Sequence, residues 1–395
     1  MATRCGVGLS GRESPGEAGR DAATAAVGAL DGGSPDFVFA FASTKYDYPK
    51  LLGGIREVTS GAPLIGCSTA GEFTHEDVCH RCVAVMAVRS ETTRFHLALG
   101  RGLRKDQRRA VVEAFRGFRQ AHLAARAEGL THATCFVCTD GLAGGGEDLV
   151  ELVHAETGML AQIVGGAAAD DARFSRTDVF FGDQHHTDAL VVAFAFSRSP
   201  IGLGVRHGLN AATGSMIVTR SRGTHLEEID GRPALTAYER FAASIGETLT
   251  VQNREALMMV HQIGMLTPTG EYKIRAPLKA NADGSLVMAS EVPTGAAITI
   301  MRGTKEGLVT AAELAARSAM ANLGGCRPAG VLAFDCICRR MFLGDDYGRQ
   351  VAAIRSVVGP NVPVIGWETY GEIAMTPSQQ TGWHNSTTVL AILPA

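Results

Sequence analysis

The sequence predicts an α/β protein whose mixed sheets are built from repeated β-α-β-α-β-β modules. The first observation is a near duplication, because "APLIGCSTAGEF", which starts at Ala62, returns as "VPVIGWETYGEI", which starts at Val362. The second is that short apolar stretches typical of buried strands alternate with amphipathic stretches of helical length. The third is the spacing of about 27 to 33 residues between the two strands that flank the repeated helix, which is the size of a β-α-β unit.

The module can be placed on the chain three times. Its central strands are predicted at "DFVFAFAS", "ATCFVCTD" and "GVLAFDC", and an amphipathic helix and a Gly-containing strand follow each of them. A strand and a long helix precede each copy, starting at "CGVGLS", "RFHLALG" and "AITIMRG", and one more apolar strand ends it. Right-handed crossovers make the first strands parallel, and a short loop makes the last one antiparallel. Residues 201–296 interrupt this series.

Composition and charge exclude several classes of function. A chain of 395 residues with 46% hydrophobic and 19% charged residues is a folded protein too long for a single core. A net charge of −3 favours neither nucleic acid nor a membrane surface as a partner. No apolar stretch suits a signal peptide or a membrane span. Nine cysteines without an export signal argue against a disulfide framework and favour a reducing cytoplasm.

Each repeated strand is followed by an acid: Glu72 in the first copy, Asp170 in the second and Glu372 in the third. One interpretation is that these acids hold their turns to neighbouring backbone N–H groups. The other is that they line a crevice at the carboxyl ends of the strands, where open α/β sheets bind ligands. The third copy also carries Trp367 and Tyr370, and aromatic surface beside a carboxylate suits a small, partly cationic or amphipathic ligand.

Several of these stretches together resemble FIST proteins. They are "GWETYGEI", "HNSTTV" downstream of it, "FDCICRRMFLG" upstream of it and "GGAAADD" in the middle of the chain. The stretch "TRSRGTHLEEIDGRPALTAYERF" is similar to the junction between the N-terminal and C-terminal FIST domains. The resemblance implies a FIST N-terminal domain with two modules over residues 1–218. It implies a FIST C-terminal domain, with the third module and the insertion, over residues 219–395.

The resemblance implies a cytoplasmic sensory protein that binds a small ligand, with an amino acid as a common proposal, and acts on a separate signalling protein. It does not imply an enzyme, and we expect no catalytic residue, metal or cofactor. The family signature falls on Cys67, Gly71, Glu72, Gly165, Gly166, Asp170, Cys336, Arg339, Tyr370, Gly371, Glu372, His384 and Asn385. Cys338 stands where the family often has Gly.

From this pattern we predict a ligand-binding set. Glu372, Tyr370 and Trp367 would contact the ligand, and Arg339 would pair with a carboxylate through two hydrogen bonds. An amino acid suits such a combination of one acid and one base. Cys336, Asn385, His384, Glu72 and Asp170 complete the set. Binding would then shift the population between open and closed arrangements of the two parts.

Two alternatives stay open. Some FIST proteins are similar to haem-based nitric oxide sensors that act on a kinase or a cyclic-dinucleotide enzyme, so haem is an alternative cofactor. His207, after an apolar strand, and His186, in an expected hairpin turn, are the candidate ligands, while the lack of C-x-x-C-H excludes covalent attachment. The second alternative is an interaction scaffold in which the repeated motif serves only the fold.

Cysteine and glycine motifs suggest further sites. Cys79 with Cys82, and Cys135 with Cys138, have the spacing of zinc ligands. Cys135 and Cys138, however, lie in a strand pattern, where residues at i and i+3 point to opposite faces, so a site shared by all four is not expected. Packing as small hydrophobic side chains is the favoured interpretation. Cys336 and Cys338 are expected on one strand face near arginines, as a reactive pair or as packing. The run "GLAGGGEDL" is like an anion-binding turn, although its acids would repel phosphate.

Overall fold

The computed structural model describes residues 3–375 and 382–395, and this part of the chain contains four β-sheets. Three sheets have six strands each, one for each predicted module, and the fourth has nine strands from the insertion. The mixed α/β class predicted from the sequence is confirmed. No helix in the described residues is long and apolar enough to cross a membrane.

The first two modules contain the elements up to residue 197. The first comprises β1 (Arg4–Ser10), α1 (Pro15–Gly28), β2 (Phe37–Ser43), α2 (Tyr48–Thr59), β3 (Leu64–Thr69), β4 (Glu72–Thr74), β5 (Val78–Cys79) and β6 (Val83–Arg89). The second comprises β7 (Thr93–Arg101), α3 (Gln107–Phe115), α4 (Phe118–Ala127), β8 (His132–Thr139), α5 (Gly146–Glu156), β9 (Gln162–Ala167), β10 (Val179–Phe181), β11 (Gln184–His186) and β12 (Ala189–Ser197).

The third module is divided by the insertion. It begins with β13 (Gly202–Arg206). The insertion comprises β14 (Leu209–Ala211), β15 (Met216–Arg222), β16 (His225–Ile229), β17 (Arg232–Pro233), α6 (Leu235–Ser244), α7 (Arg254–Val260), β18 (Ile263–Leu266), β19 (Tyr272–Arg275), β20 (Pro277–Ala280), β21 (Leu286–Met288) and β22 (Ala297–Gly303). The module resumes with α8 (Lys305–Ala321), β23 (Pro328–Cys336), α9 (Ile337–Leu343), a 3₁₀ turn (Gly344–Asp346), α10 (Tyr347–Val358), β24 (Val364–Thr369), β25 (Glu372–Met375), β26 (Trp383–His384) and β27 (Thr388–Pro394).

The three six-stranded sheets share one strand order. The first strand of a module pairs with the last, the last with the second, and the second with the third, as in β1-β6-β2-β3, β7-β12-β8-β9 and β13-β27-β23-β24. The second and third strands are parallel, and the last strand is antiparallel to both of its neighbours. This arrangement agrees with the crossover rule for the repeated β-α-β unit.

Two local predictions are wrong. The stretch "AITIMRG" forms β22 in the insertion sheet, and β13 takes the place of first strand beside β27. The insertion lies between β13 and its helix α8, so the strand nearest to that helix in sequence belongs to another sheet. In addition, β23 ends at Cys336 and α9 begins at Ile337, so Cys336 and Cys338 do not share a strand face.

Each module contributes a short strand to the sheet of another module. Strand β4 of the first pairs with β24 of the third, β25 of the third pairs with β9 of the second, and β10 of the second pairs with β3 of the first. Gly366 permits one of these crossings, because a Cβ there would lie 2.2 Å from the ring of Phe73 on β4. The exchange forms a closed ring and brings the turns after β3, β9 and β24 together.

A shared core lies between the three sheets. Phe39 of the first sheet packs edge-on against Phe136 of the second, with ring centroids 5.2 Å apart. Phe41 stacks on Trp367 of the third sheet at 3.8 Å. These side chains are buried, and their apolar surface stabilises the arrangement that holds the three turns in place.

Candidate functional site

The turns after β3 and β24 are closed by their glutamates. The Glu372 carboxylate accepts hydrogen bonds from Thr369 Oγ1 at 2.7 Å and from Thr387 N and Oγ1 at 3.0 and 2.7 Å. The Glu72 carboxylate accepts one from Thr69 Oγ1 and one from Cys82 N, the latter at 3.0 Å. Both side chains are fully buried, and burial raises the pKa of each carboxyl well above its usual range. The carboxylates of Glu72 and Glu372 therefore stabilise their turns through hydrogen bonds from threonine hydroxyls and backbone N–H groups.

The middle copy differs because a loop separates its acid from the exchanged strand. Val179 on β10 holds the register position that Glu72 and Glu372 hold on β4 and β25. Asp170 instead begins a loop of residues 170–178, here called the acid loop. Its carboxylate accepts from the backbone N–H groups of residues 174, 175 and 176 at 2.8, 2.6 and 2.8 Å. Tyr370 of the third module also donates its hydroxyl to Asp170.

The charge of Asp170 results from opposing effects. Burial disfavours ionisation, but hydrogen bonds from Tyr370 and from the loop backbone outweigh it and keep the pKa of this carboxyl below its ordinary value. Asp170 is therefore an anion at neutral pH that organises the acid loop around itself.

The backbone of the acid loop is strained. Asp171, Ala172 and Phe174 have φ values of 53°, 61° and 52°, which L-residues other than Gly rarely adopt. Each such residue costs on the order of 1 kcal/mol and persists where surrounding contacts enforce it. Asp171 provides such contacts, because its carboxylate accepts from Ser43 Oγ at 3.0 Å and from Thr44 N at 3.1 Å. Strain of this kind is concentrated at functional sites and switch segments.

A cavity of about 530 Å³ lies between the acid loop and the start of α2. We call it the loop cavity. It lies at the carboxyl ends of β2 and β3, where a ligand is expected in such sheets. Its lining combines aromatic, basic and acidic groups: Thr44, Tyr46, Asp47, Tyr48, Pro49, Asp170, Arg173, Ser175, Arg176, Asp178 and His185.

Some polar groups of the loop cavity are already paired. Arg176 donates to both carboxylate oxygens of Asp178 at 3.0 and 2.9 Å, and His185 Nδ1 lies 2.8 Å from the same carboxylate. Arg173 is freer, because its side chain is 53% exposed and its guanidinium lies 4.0 Å from Asp171. The hydroxyl of Tyr48 is buried.

Several residues of the predicted ligand-binding set lie in the protein interior. Trp367 is fully buried, stacked on Phe41 and packed edge-on against Phe334 at 4.5 Å. Arg339 pairs with Asp335 at 3.0 Å. Its remaining donors bind the carbonyl oxygens of residues 207 and 308 and the side chain of residue 350. None of the described cavities is lined by these two residues or by Glu72 or Glu372.

Three further residues of the set belong to the third module. His384 lines a second cavity of about 520 Å³ and donates Nε2–H to the carbonyl oxygen of Ala374 at 3.1 Å. Burial lowers its pKa to about 3, so the imidazole is neutral. Asn385 is buried and donates to the backbone oxygen of His384 at 3.0 Å. Cys336 is buried as well, and a hydrogen bond with Cys338, together with burial, raises its pKa.

The candidate haem ligands do not fit a haem site. His207 lines the same cavity as His384, and burial lowers its pKa to about 4. Its Nδ1 accepts from Leu209 N at 3.0 Å, so the proton of the neutral ring is on Nε2 and neither nitrogen presents a free lone pair to iron. His186 lies on β11, after the turn rather than in it, with Nε2 3.4 Å from an Arg101 nitrogen.

The two pairs of cysteines at i and i+3 differ in their surroundings and bonding. Cys135 and Cys138 lie on opposite faces of β8, in two separate hydrophobic clusters, as expected. Cys79 and Cys82 are joined by a disulfide, so the interpretation of this pair as small hydrophobic side chains is wrong. The two residues are three apart in the sequence, and their Cα atoms lie 6.0 Å apart.

A buried acid, Glu368, was missed in the sequence. It is 2% exposed, and burial raises its pKa to about 8. Arg340 Nε lies 3.7 Å from its carboxylate, and His80 Nε2 lies 2.6 Å from another nitrogen of Arg340. Gly71 makes room for the carboxyl group, because a Cβ at that position would lie 2.7 Å from it. An acid inside the apolar stretch "VIGWET" is the signal that could have revealed this group.

Comparison with known families agrees with the repeated architecture and its acid turns. Residues 36–232 match the FIST N domain and residues 234–375 match the FIST C domain. The chain belongs to the FIST family. FIST domains are sensory domains, which is consistent with a role in signal transduction. The domain boundary that we placed between residues 218 and 219 stays a prediction.

No curated protein matches the sequence of this FIST protein. Among solved structures, a cyanuric acid hydrolase is 11% identical, with all of both chains covered and a TM-score of 0.36. PurL of T. maritima in complex with ADP is 12% identical, with 99% of this chain and 71% of that chain covered and a TM-score of 0.23. Phosphoribosylformylglycinamidine synthase II from Thermotoga maritima is 12% identical, with 99% of this chain and 72% of that chain covered and a TM-score of 0.23. Similarities this low carry no functional argument.

Proposed function

We propose that this FIST protein is a cytoplasmic sensor that binds an amino acid or a related zwitterionic metabolite in the loop cavity and acts on a separate signalling protein. The volume of about 530 Å³ falls within the range of about 300 to 1,000 Å³ that is common for small-molecule sites. We assign no catalytic step to the cavity.

The groups around the cavity suit a zwitterion. Arg173 is the exposed cation that can pair with a ligand carboxylate. Asp47 lines the cavity and caps α2 by accepting from Lys50 N at 3.2 Å. Its other carboxylate oxygen lies 3.2 Å from the exposed Lys50 ammonium, which an ammonium group of the ligand would replace. The rings of Tyr46 and Tyr48 offer apolar surface.

The observation that carries the proposal is the hydrogen bond between Asp170 and Tyr370. Asp170 belongs to the segment matched by the FIST N domain, and Tyr370 belongs to the segment matched by the FIST C domain. Tyr370 also stacks on Phe174 of the acid loop, with ring centroids 4.4 Å apart. A ligand that favours one conformation of the loop therefore shifts the population of conformations of the third module.

The binding step can be tested by thermal unfolding in the presence of each of the common amino acids and their decarboxylated or deaminated analogues. We expect at least one zwitterion to raise the Tm of the wild type and to have no effect on Arg173→Ala. Arg206→Ala is the matched control, because Arg206 lines the second cavity. A shift retained in Arg173→Ala, or found only in wild type and lost in Arg206→Ala, would contradict the assignment.

The transmission step needs a separate variant. Tyr370→Phe removes the hydroxyl and keeps the ring that stacks on Phe174, so we expect it to bind the same ligand as the wild type. Hydrogen exchange in residues 364–375 should respond to the ligand in the wild type and not in Tyr370→Phe. An equal response in both proteins would separate ligand binding from the proposed coupling.

The two alternatives remain outcomes of these experiments. No described geometry favours haem, and a Soret band with a shifted maximum after mixing with haem would revive that alternative. Capture of one specific protein, without stabilisation by any metabolite, would support the scaffold instead.

A further inference from the structure

The Cys79–Cys82 disulfide closes a four-residue ring on the surface of the first module. The two intervening residues, His80 and Arg81, are exposed, and Cys79 is half-buried, while Cys82 is 1% exposed. All seven other cysteines are free thiols, so the chain has no other disulfide in the described residues. In the reducing compartment that the sequence predicts, a disulfide of this kind is expected to be transient and responsive rather than permanent.

We infer that Cys79 and Cys82 form a reversible thiol–disulfide site whose co-reactant is a small thiol of the glutathione class or a dithiol protein. The inference does not depend on the amino-acid ligand proposed above. It rests on the paired C-x-x-C residues, on the access to Cys79 and on the contacts that connect the ring to the interior.

The exchange reaction follows from the access to the two sulfur atoms. A thiolate of the co-reactant attacks Cys79 Sγ, the Sγ–Sγ bond breaks, and Cys82 leaves as a thiolate that takes up a proton. A second co-reactant thiol then attacks the mixed disulfide and releases Cys79 as a thiol. Two thiols of the co-reactant are oxidised to one disulfide as the protein disulfide is reduced to two thiols, and the reverse reaction restores the ring.

Two contacts connect this ring to the interior. The backbone N–H of Cys82 donates to the buried carboxylate of Glu72 at 3.0 Å. His80 Nε2 lies 2.6 Å from Arg340 of α9, and Arg340 approaches Glu368 at 3.7 Å. A change in the ring therefore reaches both an acid turn of the first module and the helix that follows β23. Opening the ring releases conformational freedom in residues 79–82, since a disulfide acts mainly by restricting the open chain.

The site is tested on the full-length protein in glutathione buffers that span reduced to oxidised ratios. Alkylation and mass spectrometry would count the modified thiols at each ratio. We expect Cys79 and Cys82 to change together and reversibly, with a tenfold change in the ratio of protein disulfide to dithiol for each tenfold change in the ratio of glutathione disulfide to the square of glutathione. A bond that stays intact at every ratio, or thiols that never pair, would overturn the inference.

The connection to the interior needs its own readout. Hydrogen exchange in residues 337–343 should increase on reduction of the wild type by at least twofold and remain unchanged in the Cys79→Ser/Cys82→Ser variant. Cys326→Ser is the matched control, because Cys326 is a half-buried free thiol, and it should respond as the wild type does. Reduction without any change at α9 would overturn the proposed responsive role.

Discussion

The turns at Glu72 and Glu372 and the acid loop at Asp170 start from the same place in three copies of one module, yet they are built differently. The two glutamates lie on the exchanged strands themselves, and their buried carboxylates accept hydrogen bonds from threonine hydroxyls and backbone N–H groups. Asp170 is separated from its exchanged strand by residues 171–178, and its hydrogen bonds go to that loop and to Tyr370. The comparison shows that the acid after the repeated strand stabilises a turn in two copies and organises an open, cavity-lining loop in the third.

The largest effect is expected when the buried carboxylate of Glu372 is removed. Glu372→Ala leaves the hydroxyl groups of Thr369 and Thr387 and one backbone N–H buried without an acceptor, so we expect a loss of about 3 kcal/mol or more in the free energy of unfolding. Chemical denaturation would measure it. Glu372→Gln is the matched control and should cost less, because it keeps an acceptor and the raised pKa favours the uncharged form. Equal losses in both variants would contradict the role of the hydrogen bonds.

The second prediction concerns the pH dependence that Glu368 adds near these turns. Its pKa rises from an ordinary 4.5 to about 8 on folding, so the folded protein retains a proton that the unfolded chain loses. The stability contributed by this group is complete below about pH 4.5 and is lost as pH rises to about 8, with a slope of at most about 1.4 kcal/mol per pH unit.

Glu368→Gln removes this titration. The difference in the free energy of unfolding between wild type and Glu368→Gln should therefore change across this window and become constant above it. Denaturation at a series of pH values would measure the difference, which cancels the contributions of Glu72 and Glu372. A difference that is constant from pH 5 to 9 would show that Glu368 is not buried as described.

The third prediction concerns Asp170 and the acid loop. Asp170→Asn retains one oxygen acceptor but removes the charge that the N–H groups of the acid loop and Tyr370 share. We expect a loss of about 1 to 2 kcal/mol and faster hydrogen exchange confined to residues 171–178. The pKa of Asp170 is lowered in the folded protein, so this stabilisation is present above its ordinary pKa and disappears as pH falls through the lowered value. Exchange that increases equally at residues 72–74 would contradict an independent loop.

The smallest effect is expected for the stacked pair at the edge of the acid loop. Phe174 is 52% exposed, so Phe174→Ala removes little buried surface and one ring contact with Tyr370. We expect a loss below about 1 kcal/mol, in the range measured for single aromatic pairs. Thermal unfolding would measure it, with Phe73→Ala as the buried counterpart on β4. A loss as large as that of Phe73→Ala would mean that the loop is part of the core.

Much of the fold could be predicted because its elements are local patterns. The duplicated strand ends at Gly66 and Gly366 revealed the module, and the apolar strands revealed the mixed sheets. The place of β13 could not be predicted, because its two glycines weaken the strand pattern and the insertion separates it from α8. The exchange of β4, β10 and β25 depends on contacts between distant segments, which a single sequence does not record.

The site was predicted in part for a related reason. Asp170 and Tyr370 were singled out by motif, and the structure brings them into contact. Trp367 and Arg339 were expected on the ligand, but Phe41 of the first sheet covers Trp367 and the Asp335 carboxylate pairs with Arg339. A sequence shows that a strand end is polar, but it does not show which side chains another sheet will cover. The acid loop itself, with its strained residues, carried no pattern that distinguished it from an ordinary loop.

The ring of exchanged strands makes the division between the two FIST domains a division in sequence only. A fragment carrying the first segment would lack β25 beside β9, and a fragment carrying the second would lack β4 beside β24. Each would expose an unpaired strand edge, which is a template for aggregation. Each fragment thus carries the strand that the other fragment lacks. Co-expression of both fragments is the route by which a divided chain would regain its native structure.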